Sequence, residues 1–498
     1  MLAGLLVLVL ASSVAGDGDR APLPLELSVD LGVVLNDTRG RPTGINVDFL
    51  MDDDRSPLLS PRRDLVQALR ELAPSYLRYP GGWKSAINLW STPPFTSSRP
   101  VPAGRVPDDW VRPGLGLVSP DGSWRLDPLD FDELMETCRA VPAQPILVMA
   151  YESGYWPPSR GWTPPSRPQL VEAAAAWVRY ANKVKGHAVR YWEIGNESWL
   201  NNETWTNRIS AETYATDLVE FSRRMKAEDA GIRIGANGDT EAWWRVVLGR
   251  AAEHVDFLSV HTYPCWKWTS YEQYRTSSLD ALASVRDTTR AIARYAPAHA
   301  DRLEILVTEF AAGTFGEWDE TPADLGRALM TFELQGQLLQ AREVRASQFW
   351  TTHNVYTAVD GGVFDALMRD NTLSPIGRAL WIWNRFLGDE MVAATGSDDV
   401  RCFASSRRGG ELALFLVNKE TSARDVSVAL MRPPRPLGRG ERWVLRGNGP
   451  SDRRPVWAPA APVDVSKSRV SARLDPVSIT VIQLTPRLRE DRPSGPGQ

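Results

Sequence analysis

Between residues 43 and 390 the chain alternates short apolar runs with longer stretches whose apolar residues recur at helical spacing. The runs are GINVDF (44–49), YLRY (76–79), PILVMA (145–150), AVRYWEI (188–194), IRIGA (232–236), DFLSVH (256–261), EILVTE (304–309) and ASQFW (346–350). A strand followed by an amphipathic segment, repeated, is the pattern of a parallel sheet with crossover helices. Eight such repeats close a (β/α)8 TIM barrel, predicted over 43–390. Ser60-Pro61, Thr321-Pro322 and Ser374-Pro375 each pair an N-cap side chain with a proline suited to the first helical turn, and predict three helix starts. After the last of them Ile376, Leu380, Trp383 and Leu387 form one apolar face that ends at Gly388. Segments rich in Pro, Gly, Ser and Trp at about 90–130, 151–168 and 262–280 follow strands two, three and six, at the barrel end where loops build sites.

Past residue 390 the pattern becomes one of short alternating strands, among them 401–404, 411–417, 425–430 and 477–484. It predicts an antiparallel β-sandwich over 391–485. Residues 24–35, within an N-terminal segment 22–42, alternate in the same way and are expected to join that sandwich. The run LAGLLVLVL (2–10) followed by ASSVAG matches a signal peptide over 1–16, although no Lys or Arg precedes it, and predicts a secreted protein. Residues 486–498 are polar and rich in Pro and Gly, the composition of a disordered tail.

A formal net charge of −4 with scattered Lys and Arg gives no field for a phosphate backbone, so nucleic acid is excluded as a partner. No other segment has the ~18 to 20 apolar residues of a spanning helix, so stable membrane insertion is not expected. Cys138, Cys265 and Cys402 lie far apart with no CxxC and no zinc-like His spacing, which predicts three buried free thiols rather than a disulfide scaffold or a metal site. Asn36, Asn196 and Asn202 each open a glycosylation sequon. Twenty tryptophans favour a carbohydrate cleft, because indole covers the apolar faces of sugar rings.

Buried parallel strands tolerate polar groups poorly along their length, but their C-terminal ends open on the site. Glu197, just after strand four, and Glu309, at the end of strand seven, stand at two such ends across the barrel mouth. Two facing carboxyls about 5 to 5.5 Å apart are what retaining glycoside hydrolysis requires, one giving a proton to the departing oxygen and one attacking the anomeric carbon. Trp192 and Trp199 would surround Glu197 with apolar surface, suiting it to the acid role. Glu309 would then be the nucleophile. Glu193, one position out of phase, reads as a structural carboxylate.

WEIGNE (192–197) resembles the acid/base motif of clan A glycoside hydrolases, VTEF (307–310) resembles their nucleophile strand, and LRYPGG (77–82) resembles the second strand of the clan's α-L-arabinofuranosidases. The resemblance implies a retaining glycosidase that works without metal or cofactor on an oligosaccharide or polysaccharide, with Glu197 as acid/base and Glu309 as nucleophile. It further implies Asn196 bonding the sugar 2-hydroxyl, Arg78 holding the nucleophile ionised, His261 and Tyr263 beside it, and Trp350 as the aromatic floor. Glu152 is expected to bind a sugar hydroxyl, and Trp199 to line the substrate together with Trp156 and Trp162. Ser198-Trp199 and Trp83-Lys84 depart from the arabinofuranosidase pattern. Lys84 beside an acidic or sulfated sugar would suit a β-glycosidase of the same clan, such as a heparanase-like β-glucuronidase, a xylosidase or a marine galactan hydrolase. A non-catalytic carbohydrate-binding protein is the alternative of another class. Linkage, exo or endo action and oligomeric state stay open at this level.

Overall fold

In the computed structural model the described residues are 23–103, 116–119, 122–156, 163–200, 209–265, 268–312 and 321–487. All eight apolar runs are strands: Thr43–Asn46, Tyr76–Tyr79, Gln144–Met149, Tyr191–Ile194, Arg233–Asn237, Phe257–Thr262, Glu304–Phe310 and Val344–Phe349. Each pairs in parallel with the next and the eighth with the first, closing the barrel. The runs are apolar throughout because both faces are covered, one by the barrel interior and one by the helices. Inside, Tyr76, Ile146, Tyr191, Phe257, Leu306 and Ala346 form an apolar plug. Two residues further along their strands, on the same face, come Arg78, Glu193, Ser259 and Thr308, so the layer above the plug is charged and hydrogen-bonded.

Of the three predicted helix starts, only Ser374-Pro375 is one: Ser374 Oγ accepts from Gly377 N at 3.1 Å and the helix runs Pro375–Phe386. The other two begin a turn later. Asp64 caps Leu65–Leu72, and Asp324 caps Leu325–Gln340. An aspartate adjacent to the first apolar position outcompetes a serine or threonine placed further upstream. Ser60 is instead tied to another loop, its N–H donating to Arg369 O at 2.9 Å.

The C-terminal domain is one ten-stranded sheet. Its pairings are antiparallel except that Leu25–Asp37 runs parallel to Arg424–Met431 while pairing antiparallel with Glu390–Thr395. Leu27, Val29, Val392, Leu414, Val428, Val470 and Ile482 come from strands spread across the sheet yet share one core, so the sheet folds over its own apolar face. It docks on the barrel through Trp383, stacked on Phe332 at 4.5 Å and tilted over Phe415 at 4.3 Å. The last strand continues to Pro486, and Arg487 donates to Leu437 O and Val465 O, so structured chain passes the 485/486 boundary expected for a tail. The predicted signal peptide, Trp162 and Asn202 lie outside the described residues. Asn36 spends its amide on Leu339 O and Ala341 O, which leaves it unsuited to carry a glycan. Cys138, Cys265 and Cys402 are buried and free. Among the described residues no helix is long and apolar enough to cross a membrane.

Candidate active site

The seventh strand aims Glu309 by breaking its own alternation. Thr308 faces inward, its hydroxyl meeting Ser259 Oγ, so strict alternation would turn Glu309 out toward the helices. Between Val307, opposite Val260, and Glu309, opposite His261, the register slips by one residue. This bulge returns Glu309 to the barrel mouth, the use to which bulges are put beside functional sites. There Glu309 is buried, with Oε1 accepting from Arg78 Nη1 at 2.8 Å and Oε2 from Tyr263 OH at 2.6 Å.

Arg78 is wholly buried and joins the charged layer to the mouth. Its Nε and Nη2 grip Glu193 at 2.8 and 3.1 Å, Nη1 also donates to Asn46 Oδ1 at 2.9 Å, and Nη2 to Asn196 Oδ1 at 2.8 Å. Burial alone would weaken its charge, but Glu193 and Glu309 outweigh burial and raise its pKa. Glu193 takes a further bond from Ser259 Oγ at 2.6 Å, so its structural role is to anchor the guanidinium.

On the opposite side, strand four ends at Ile194 and the chain turns through Gly195 at φ +74° to Glu197 at φ +53°. Glu197 is about a quarter exposed (27%), and its Oε1 lies 2.8 Å from His261 Nδ1. The same nitrogen is 3.5 Å from Glu309 Oε2. One oxygen of Glu197, one of Glu309 and a ring nitrogen of His261 all lie within 4.8 Å of one another. Among the described residues these three are the group that could hold a divalent ion; equally, they are two carboxylates bridged by a proton carrier. Burial opposes a charge on His261, but Glu309 and Glu197 outweigh it and raise its pKa.

Aromatic residues complete the mouth. Trp199 packs edge-on against the His261 ring at 5.3 Å, and Trp350 follows the eighth strand, buried against the glycines after strand two. A Cβ on Gly82 would fall 2.2 Å from the Trp350 ring, so only glycine there lets the indole lie in place.

Three expectations change. Trp192 does not enclose Glu197: it points outward, its ring 5.9 Å from Trp177 and its N–H on Val189 O at 3.1 Å, because Glu193 takes the inward phase of that strand. Lys84 is not free to meet an acidic sugar: it is wholly buried, its Nζ 2.7 Å from Asp48 Oδ2 and 5.0 Å from the centre of the Trp350 ring. Glu152 spends Oε1 on the chain itself, accepting from Asn196 N at 3.0 Å and Ser198 Oγ at 2.5 Å. Sequence reasoning missed Asn46, Asn237 and Asp48. Asn46 and Asn237 are polar residues at the last position of a barrel strand, and Asp48 lies just past the end of the first.

No family model matches the chain. By sequence it is similar to a probable α-L-arabinofuranosidase C of Aspergillus fumigatus, 23% identical over 237 residues, which are 41% of this chain and 40% of that protein. It is also similar to an intracellular exo-α-(1→5)-L-arabinofuranosidase of Halalkalibacterium halodurans, 25% identical over 268 residues, 48% of this chain and 46% of the relative. A Bifidobacterium longum protein of the same name is 30% identical over 154 residues, 29% of this chain and 27% of its own. The chain thus matches less than half the length of these relatives. In three dimensions it is similar to an α-L-arabinofuranosidase from Thermotoga maritima solved with arabinose, with TM-score 0.69 and 18% identity over 92% of this chain and 99% of that one. A Paenibacillus polymyxa xyloglucanase gives TM-score 0.62 and 15% identity over 93% and 99%. The likeness to arabinofuranosidases seen in LRYPGG, WEIGNE and VTEF therefore recurs across longer stretches of sequence and in the fold. The two bacterial relatives are named as intracellular, which points against the secreted location expected from the N-terminal run, and that expectation is withdrawn.

Proposed function

We propose that this chain is a retaining glycoside hydrolase of α-L-arabinofuranosidase type, acting on an arabinose-bearing oligosaccharide or polysaccharide. The observation that carries it is the pairing of Glu197 and Glu309, from strands four and seven, with carboxylate oxygens within 4.8 Å and unlike surroundings. Glu309 is fixed between the Arg78 guanidinium and the Tyr263 phenol, which hold its carboxyl in place as the nucleophile. Glu197, partly open to solvent and bonded to His261, is set to give a proton to the departing oxygen and then to take one from water. Asn196 has its Oδ1 fixed by Arg78 while its buried Nδ2 has no partner among the described residues. That unspent donor is suited to the sugar hydroxyl beside the anomeric carbon, with Trp350 beneath the ring. The names of the sequence relatives support arabinofuranose as the sugar.

The acidic-sugar alternative loses its residue-level support, since the Lys84 charge is spent on Asp48. Glu309→Ala is expected to lower turnover of 4-nitrophenyl α-L-arabinofuranoside by about 10³-fold or more, with azide restoring activity and giving an azide of inverted configuration. Glu197→Ala with azide is expected to give the retained product. Wild-type activity in either variant sinks the two-glutamate reading, and oligosaccharide binding without turnover by the wild-type protein favours a non-catalytic binder. A panel of aryl glycosides tests the sugar: faster turnover of a xyloside, galactoside or glucuronide than of the arabinofuranoside overturns that part.

A further inference from the structure

The loop that carries Asn196 and Glu197 is clamped from two sides. On one side Glu152, which opens the turn after strand three, receives both Asn196 N at 3.0 Å and Ser198 Oγ at 2.5 Å on the single oxygen Oε1. On the other side Asn237, closing strand five, accepts from Ser198 N at 2.9 Å and donates to Ile194 O at 2.7 Å. Between the clamps Glu197 sits at φ +53°, a left-handed conformation that is unfavourable for a non-glycine residue and persists only where the surroundings over-determine it. Gly195 makes the Glu152 contact sterically possible, since a Cβ there would lie 2.3 Å from Oε1.

Glu152 Oε2 is buried with no hydrogen-bond partner among the described residues, and double displacement by Glu197 and Glu309 gives Glu152 no proton to move. Both groups that reach Oε1 are donors, which a neutral carbonyl-type oxygen accepts as well as a carboxylate does. We propose that Glu152 is a positioning residue: its Oε1 fixes the backbone from Asn196 to Ser198 and thereby the aim of the Glu197 carboxyl, in place of the sugar-hydroxyl contact expected for it. Burial raises the carboxyl to about 7, in keeping with a side chain that works as a neutral acceptor. The inference rests on Glu197 being the proton donor.

That dependence supplies the test, because a misaimed proton donor slows only those substrates that need the proton. The measurement is kcat/KM on aryl α-L-arabinofuranosides graded from 2,4-dinitrophenyl, which leaves unaided, to phenyl, which does not. Glu152→Ala is expected to lower kcat/KM about 100-fold for phenyl and no more than about threefold for dinitrophenyl, a misplacement effect on the acid alone. Glu152→Gln, which keeps an oxygen acceptor, is expected to stay within about threefold of wild type on both. Ser198→Ala removes one of the two donors without touching Glu152 and is expected to show a weaker version of the same leaving-group dependence, which covers the case of poor folding in Glu152→Ala. Equal slowing of every leaving group, or Glu152→Gln as damaged as Glu152→Ala, overturns the proposal. A Glu197→Ala enzyme that lacks leaving-group dependence overturns the function itself, and the two failures are therefore distinguishable.

Discussion

Replacing Arg78 with methionine tests the charged layer and the site above it together. The side chain is wholly buried and its three nitrogens serve five acceptors, two on Glu193 and one each on Glu309, Asn46 and Asn196. One positive charge stands against two buried carboxylates, so the wild-type cluster is net −1 and Arg78→Met makes it −2. Removing one partner of a buried ion pair costs about 3 to 5 kcal/mol, because the charge left behind is neither solvated nor paired. Against a total stability of about 5 to 15 kcal/mol this is a large share. The assay is guanidinium unfolding followed by tryptophan fluorescence, with Glu193→Gln and the double variant Arg78→Met/Glu193→Gln alongside. The double variant returns the cluster to −1, so its loss is expected to be smaller than the sum of the single losses by about 1 to 3 kcal/mol, the range of coupling between touching charged groups. Activity separates from stability: Glu309 loses the Arg78 guanidinium in both Arg78 variants, so kcat/KM is expected to fall at least about 100-fold in both. A single variant within about 1 kcal/mol of wild type, or a double variant that regains activity with stability, refutes the reasoning.

Two further predictions concern buried groups near the mouth. His353 places Nδ1 2.5 Å from Asp52 Oδ1 and Nε2 3.1 Å from Met368 O, so each nitrogen faces an acceptor and both must carry hydrogen. Burial raises Asp52 as well, yet Asp52 also receives Asp48 N and the Thr352 hydroxyl and is the acceptor of the pair. Burial opposes the imidazolium but the bond and charge of Asp52 outweigh it and lift His353 to about 8. A folded pKa above the unfolded value of about 6.5 contributes stability that is complete below pH 6 and lost as pH rises through 8, about 2 kcal/mol in all. His353→Gln is expected to lack that pH dependence, so the stability difference between wild type and variant shrinks by about 2 kcal/mol from pH 6 to pH 9; parallel curves for variant and wild type would sink the imidazolium assignment. Lys84→Met strips Asp48 of its buried partner and is expected to lower stability by about 3 to 5 kcal/mol, measured as a shift in the unfolding midpoint, without a selective loss on glucuronides. A selective loss on acidic sugars with unchanged stability would restore Lys84 to the substrate.

The barrel was legible because strands covered on both faces read as unbroken apolar runs, which need no knowledge of register. What depended on register was not. Trp192 and Glu193 are neighbours, and only one of them can face the interior. The choice is decided by Arg78 on another strand, 115 positions away in sequence. The polar layer was hidden for the same reason: Arg78, Glu193, Ser259 and Thr308 are unremarkable in their own segments and form a network only when the four strands are brought level. Lys84 was misplaced because a lone lysine beside a tryptophan is usually at the surface, and its partner Asp48 lies just past the end of a different strand. Glu309 was found by its place at a strand end, although the strand reaches that aim through a bulge that EILVTE does not announce. Once the register is known, the charged layer and the candidate nucleophile prove to be one structure. The guanidinium that neutralises Glu193 inside the barrel also holds Glu309 and orients Asn196 at its mouth. A change that makes the barrel interior more apolar, and so more stable by the usual accounting of buried ion pairs, would remove the cation that holds the candidate nucleophile Glu309. The interior charge therefore persists as a condition of the site rather than as a contribution to the fold.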